Sequence, residues 1–345
     1  MKTNRFLSLI TVFCLSLVIA VGCNQTPPST STASSPNAPA TSTIRHGFSA
    51  WPGWFPWQVA QEQKLFDTNN VKVDLKWFDG YLDSINSLAA GQLDTNSQTL
   101  NDTISSVAAG SDQVIVLVND NSTGNDQIIV KEGINSVADL KGKTIAVEGG
   151  TVDHFLLLLG LKKAGLTDKD VQIKPLETGA AAAAFVAGQV DAVGVFAPFT
   201  TQALKRDKSK ILFTSKEFPG AIPDHLVVSR KMVNDRPQEV QALVNTWFAT
   251  LDYIQKNQAE AIKVMAKRAG VPEADYKEYN TGTTIFSIQD NLKAFAPGTD
   301  MTSLPYAAEE ISKFLLETGL MKTKPDLSKI FDDRFIKAYA QKQKT

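Results

Sequence analysis

The chain has 345 residues, 43% of them hydrophobic, and its 35 basic and 36 acidic side chains leave a net charge of −1. That is apolar content enough for two domains with cores of their own, and no basic patch suggests a nucleic-acid partner. The two cysteines, Cys14 and Cys23, lie near the N-terminus, so the body of the chain has no disulfide framework and no thiolate metal site.

Residues 1–22 read as a targeting segment. Lys2 and Arg5 precede the apolar run Phe6–Val21, which is too short for a comfortable membrane span. The run ends Ala20-Val-Gly-Cys23. Small residues before a cysteine resemble the lipobox of bacterial lipoproteins, which implies cleavage before Cys23 and a lipid on its sulfur. An ordinary signal peptide with an incidental cysteine is the alternative. Residues 23–43 follow as a leash of Ser, Thr, Pro, Ala and Asn that can bury no core. Loss of Lys2 and Arg5 leaves 33 basic against 36 acidic side chains, a charge of −3. A lipid on such a leash holds a globular body near a membrane surface.

The body opens with a short strand, Ile44–Phe48. Next comes Ser49-Ala-Trp-Pro-Gly-Trp-Phe-Pro-Trp57, where three of the five tryptophans fall within seven residues. Pro52, Gly53 and Pro56 forbid a regular element there, so this is a shaped loop. A helix over Trp57–Phe66 is expected. The strand Val71–Phe78 sets Val71, Val73, Leu75 and Trp77 against Lys72, Asp74 and Lys76. Asp79-Gly80 closes it, and Tyr81–Ala90 is helical. Polar Ser97–Asp102 leads into a helix ending near Ala109, with apolar strands at Val114–Val118 and Gln127–Val130. This β-α-β-α-β alternation predicts a parallel sheet with helices on its faces.

A second unit begins with a short helix, Ser136–Gly142, and the strand Thr144–Val147. Gly149-Gly150 then turns into a helix reaching about Ala164, with Thr151 placed to cap it. Such a junction gathers unpaired N–H groups and suits a small polar ligand. A phosphate loop does not fit, since no Gly-Lys-Ser/Thr follows. Strands at Val171–Leu176, Asp191–Phe196 and Ile211–Phe213 alternate with helices at Gly179–Ala187 and Pro198–Lys205. Ala89-Ala-Gly-Gln-Leu-Asp94 is echoed by Val186-Ala-Gly-Gln-Val-Asp191, which favours two similar lobes. The expected division puts 44–127 with 229–345 in one lobe and 128–228 in the other. After Leu226–Ser229 the chain is helical. Val240, Leu243, Val244, Trp247, Leu251 and Ile254 mark one face of a long helix, so Trp247 reads as core.

Four stretches together resemble the nitrate/sulfonate/taurine class of periplasmic solute-binding proteins. They are Trp51-Pro-Gly-Trp54, Ala89-Ala-Gly-Gln-Leu-Asp94, Val137-Ala-Asp-Leu-Lys-Gly-Lys-Thr-Ile-Ala-Val147 and Ala187-Gly-Gln-Val-Asp-Ala192. Each is weakly specific; their order and spacing, over about Ile44 to Gln341, are more so. The resemblance implies an α/β, two-lobe periplasmic-binding-protein fold of type II, with parallel-rich sheets flanked by helices. It also implies a hinge crossed twice, a small-molecule solute held in the cleft, and docking on the permease subunits of an ABC importer. The resulting expectation is a monomer without a cofactor, in the periplasm or at the cell surface, and not an enzyme. Thiamine-pyrimidine synthases share this fold family, but they need a histidine and a cysteine-rich metal-dependent site, and this body has no cysteine. A membrane-tethered sensor or scavenger without an importer is a third reading.

Ligand sites in α/β sheets collect at strand C-termini and helix N-termini. That rule, with the resemblance, selects Trp51, Trp54, Asp79, Ser97, Gln98, Thr99, Thr151, Asp153, Phe196 and Asp224 as ligand-binding candidates. Each has a plainer alternative. The tryptophan loop can plug a core, Asp79 can cap a turn, and Ser97–Thr99 can cap a helix. Asp153 can serve the helix dipole, Phe196 can be core, and Asp224 with His225 can flank a hinge. His46, His154 and His225 have no metal-ligand spacing. These loops carry carboxylates and aromatic rings, including Asp102, with no basic residue besides His225. That suits a small cationic or amide-rich nitrogen compound of guanidinium, amidine or urea type. A sulfonate or nitrate-like anion is the alternative.

Overall fold

In the computed structural model residues 42–343 are described. The targeting segment, Cys23 and nearly all of the leash lie outside them. The body begins β1 (Ile44–Phe48), α1 (Pro56–Glu62), α2 (Leu65–Thr68), β2 (Val73–Trp77), α3 (Tyr81–Ala89), β3 (Thr95–Thr99), α4 (Leu100–Ala108) and β4 (Gln113–Ser122). It continues through β5 (Asp126–Val130), β6 (Thr144–Val147), α5 (Val152–Lys163), β7 (Gln172–Pro175), α6 (Thr178–Val186), β8 (Ala192–Phe196), α7 (Phe199–Ala203) and β9 (Lys210–Thr214). It then returns as β10 (Pro223–Ser229), α8 (Arg230–Asp235), α9 (Pro237–Lys256), α10 (Gln258–Ala269), α11 (Glu273–Tyr279), β11 (Thr283–Ile285), α12 (Ile288–Phe295), α13 (Leu304–Glu317) and α14 (Arg334–Lys342).

The strands form two sheets, ordered β11-β4-β10-β3-β1-β2 and β7-β6-β8-β5-β9. The chain passes between them after β4 and again after β9. The alternation of elements predicts parallel pairing, and this holds for β2-β1-β3 and for β7-β6-β8. The strands next to the passages are antiparallel instead: β10 to both β3 and β4, and β5 to both β8 and β9. A strand that hands the chain to another sheet has no βαβ crossover to fix its direction.

Local chemistry explains smaller departures. The helix expected over Trp57–Phe66 is two pieces, because Lys64 takes a left-handed backbone with φ 54°. The short helix near Val137 is a single 3₁₀ turn, held by a capping box of Ser136 and Asp139. Asp224 and His225 are the second and third residues of β10, directly after the chain returns to the first sheet, and so lie next to that passage.

The C-terminal helices cover the first sheet. Trp247 of α9 packs against Trp57 of α1 with centroids 4.8 Å apart and the rings tilted by 50°, and both are fully buried. Asn291 of α12 clamps β4 like a neighbouring strand: it accepts from Val118 N–H at 2.8 Å and donates to Val118 O at 3.0 Å. In the second sheet, α5 is apolar on nearly every side. It lies between β5, β8 and α13, with Phe155 edge-on to Phe314 at 5.3 Å.

Candidate functional site

A cavity lies where the two sheets face each other. The first sheet's part supplies Ala50, Trp51 and Trp54 from the loop after β1, Tyr81 from the start of α3, and Thr99 from the end of β3. It also supplies Ile222 and Asp224 at the start of β10. The second supplies Asp126 opening β5, Val152 opening α5 and Phe196 closing β8. Only about 10 Å³ is open to the centre of a water-sized sphere, room for about one water.

Four aromatic rings close a circuit around it. Trp51 meets Trp54 at 6.5 Å, Trp54 meets Tyr81 at 5.3 Å, Tyr81 meets Phe196 at 6.4 Å and Phe196 meets Trp51 at 6.2 Å. The four contacts of this cage are edge-on or tilted, with interplanar angles from 47° to 89°, and an aromatic ring attracts a cation by its negative face. Sequence reasoning found three of these walls and missed Tyr81, which reads there only as the first residue of a helix.

Carboxylates stand in and behind the cage. Asp126 pairs with Phe196 across β5 and β8. Asp224 stands opposite Asp120 across β10 and β4. The Trp51 indole N–H donates to Asp120 Oδ1 at 2.9 Å. Gly53 is what admits Asp120, since a Cβ at Gly53 would lie 1.8 Å from Asp120 Oδ2. Asp126 Oδ2 and Asp224 Oδ2 are buried without a hydrogen-bond partner. Burial pushes Asp126 up to about 7 and Asp120 up to about 8. Burial and then repulsion from Asp120 and Asp126 lift Asp224 well above the usual carboxylate range. Asp120 and Asp126 sit in the polar run Asn119–Asp126 between two apolar strands, where a sequence reading sees a loop. Ten consecutive buried residues make Gln113–Ser122 strand instead.

Trp51, Trp54, Thr99, Phe196 and Asp224 thus line the cavity, and the other five candidates do not. Asp79 is exposed and accepts from the Trp77 indole at 2.7 Å. Ser97 and Gln98 are buried on opposite faces of the sheet: Ser97 accepts from Trp57 at 3.2 Å, and Gln98 donates to Thr103 at 2.9 Å and Gln113 at 2.8 Å. Thr151 occupies the N-cap position of α5, but its hydroxyl donates to Glu148 O at 2.9 Å and caps nothing. The glycine turn is diverted too, Gly150 N–H donating to His154 Nδ1 at 3.2 Å. Asp153 is buried, 2.8 Å from the Thr178 hydroxyl. His225 brings no positive charge, because full burial lowers it to about 3. Among the described residues, no group of three or more His, Cys, Asp and Glu could hold a metal ion.

The model of the NMT1-like family matches residues 37–270, and the chain belongs to that family. The taurine-binding periplasmic protein of Escherichia coli K12 is 28% identical over 294 residues, covering 81% of this chain and 89% of that protein. The alkanesulfonate-binding protein of Xanthomonas axonopodis pv. citri, solved with MOPS bound, superposes with a TM-score of 0.72 at 22% identity, over 84% of this chain and 98% of that one. The periplasmic nitrate-binding protein of Synechocystis PCC 6803 superposes with a TM-score of 0.71 at 15% identity, over 89% and 90%. The fold is therefore the two-lobe α/β fold of periplasmic binding proteins, as the resemblance in sequence implies. The chain is a solute-binding component of the ABC-importer type, a class of binding proteins rather than enzymes.

Proposed function

We propose that the protein captures a small planar nitrogen cation, of guanidinium or amidinium type, or a urea-like amide, between its two sheets and delivers it to the permease. The observation that carries this is the closed aromatic cage with Asp126 and Asp224 in its wall, each with an oxygen that lacks a donor. Unpartnered acceptors call for N–H donors, which a quaternary ammonium lacks and a guanidinium has on every side. The lobes follow the sheets, with passages at 123–125 and 215–222 as the hinge, so Pro223–Ser229 joins the first lobe. The targeting segment, the lipid on Cys23 and the leash would tether a monomer at the membrane.

The second reading is a sulfonate or a nitrate-like anion, favoured by what the relatives bind. No Lys or Arg lines the cavity, and an anion there would face carboxylates. The Trp54 indole N–H, buried without a partner, is a donor open to either solute.

Calorimetry of the purified protein with guanidinium, urea, taurine and nitrate separates the two. A cation draws these carboxyl groups into the ionised form, so binding releases protons and tightens as pH rises from about 5 to 8. An anion does the reverse. Binding of taurine or nitrate alone, with proton uptake, overturns the cation reading.

A further inference from the structure

Two helix N-termini flank the cavity, and neither is capped from its own side. The N-cap of α3 is Gly80, which has no side chain to offer, and that of α5 is Thr151, whose hydroxyl is turned away. For α3 a carboxylate from the opposite sheet's side supplies the acceptor: Glu148, which follows β6, accepts from Leu82 N–H in the first turn of α3 at 2.9 Å. The second sheet's side caps a helix of the first.

Glu148 is held for this purpose. Its second oxygen is 2.8 Å from the Thr178 hydroxyl, which is also 2.8 Å from Asp153 Oδ2. One hydroxyl has one proton, so of the two carboxyl groups one must itself carry a proton and donate. The three groups form a fixed bridge within the second lobe, aiming Glu148 at α3. Tyr81, next to Leu82 and the first residue of α3, is the cage wall that meets Phe196. A carboxylate at a helix N-terminus gains both from charge-assisted hydrogen bonding and from the dipole. Both gains vanish when the lobes part, since Glu148 leaves with one and α3 with the other.

We propose that Glu148 is a positioning residue for solute capture: it reaches across the cleft to cap α3, sets the Tyr81 wall against Phe196 and holds the lobes shut. The proposal rests on the solute lying between the lobes and not on the solute's charge.

The test uses the purified protein with Glu148→Ala, Glu148→Gln and Thr178→Val, and guanidinium as the probe. Two spin labels at Lys205→Cys and Lys267→Cys, in a body otherwise without cysteine, report the distance between lobes with and without the probe. Stopped-flow tryptophan fluorescence reports the rates. Glu148→Ala is expected to speed dissociation about 10- to 100-fold, the range lost with one charge-assisted hydrogen bond, and to leave association within about threefold. Its shut population falls. Glu148→Gln keeps an acceptor for Leu82 and falls between, and Thr178→Val resembles it. A melting temperature that drops while the inter-lobe distances stay as in the wild type means a structural role only, and overturns the proposal. So does an unchanged dissociation rate and shut population in Glu148→Ala, or a wild type with no shut population under any condition. If guanidinium fails to bind, the distances alone decide the latch, and that failure counts against the cation reading instead.

Discussion

Asp224 shows what a binding residue costs the empty protein. It is fully buried, faces Asp120 across the sheet, and keeps one oxygen without a donor. Nothing in the fold needs that charge, and like-charge repulsion opposes it. Asp224→Asn is therefore expected to raise the melting temperature of the ligand-free protein at pH 8. It should also weaken guanidinium binding by about 2 kcal/mol or more, the cost of truncating one partner of a buried charged pair. Calorimetry and a thermal melt read both; an unchanged affinity removes Asp224 from the site. Gly53 makes a different argument. A methyl there would lie 1.8 Å from Asp120 Oδ2 and 2.2 Å from its Cγ. Gly53→Ala should cost about 1–3 kcal/mol of stability by overpacking and push Trp51 out of the cage, lowering the denaturation midpoint and the affinity together. A loop that tolerates the methyl with neither change would show that Asp120 does not fix it.

At the scale of elements, the tryptophan loop and the start of α3 are walls held by other elements. The loop is pinned by Trp51 to β4 and by Tyr276 of α11, whose hydroxyl donates to Pro52 O at 3.2 Å. The composition of the loop was legible up to Phe55; Pro56, read as forbidding a regular element, instead opens α1, because a proline's missing N–H costs nothing at the first helical position. What it faces was not legible, because Asp120 lies 69 residues from Trp51 and only the strand order brings them together. The same holds for Ser97 and Gln98. Their sequence suits a helix cap, yet β3 lies between β1 and β10 and sends the two side chains to opposite faces of the sheet, both buried. Helix α5 offers a test that spares the cavity. A Cβ on Gly160 would lie 2.1 Å from the Phe213 ring of β9. Gly160→Ala should destabilise the protein by about 1–3 kcal/mol while leaving solute affinity within about twofold. Urea melts and calorimetry read the two, and a large loss of affinity would mean that the packing of α5 sets the cage.

For the whole molecule, the acidic cluster sets the pH dependence of stability. Asp102, Asp120 and Asp126 are raised to about 7, 8 and 7, chiefly by burial. A carboxyl whose folded value is raised binds its proton more tightly folded than unfolded. Its contribution is complete below the ordinary carboxylate range and is lost as pH climbs through about 7 to 8. Melting temperatures of the ligand-free protein are therefore expected to fall between about pH 5 and pH 8.5. Guanidinium at about a hundred times its dissociation constant should restore about 2.7 kcal/mol, most visibly at the alkaline end. A melting profile flat in pH, with or without guanidinium, would mean that the cluster does not hold its protons as its burial requires.

The sequence by itself determined the class. Local patterning, glycine turns and the order of weak motifs are properties of short stretches, and they sufficed for the two-lobe α/β fold and for three of the four cage walls. Only the tertiary structure decided the chemistry of the cavity. Which carboxylates converge, which indole holds which acid and which helix is capped from across the cleft all depend on strand order and on the chain's two passages between sheets. Trp51 and Asp120, 69 positions apart, meet there for reasons no local pattern encodes.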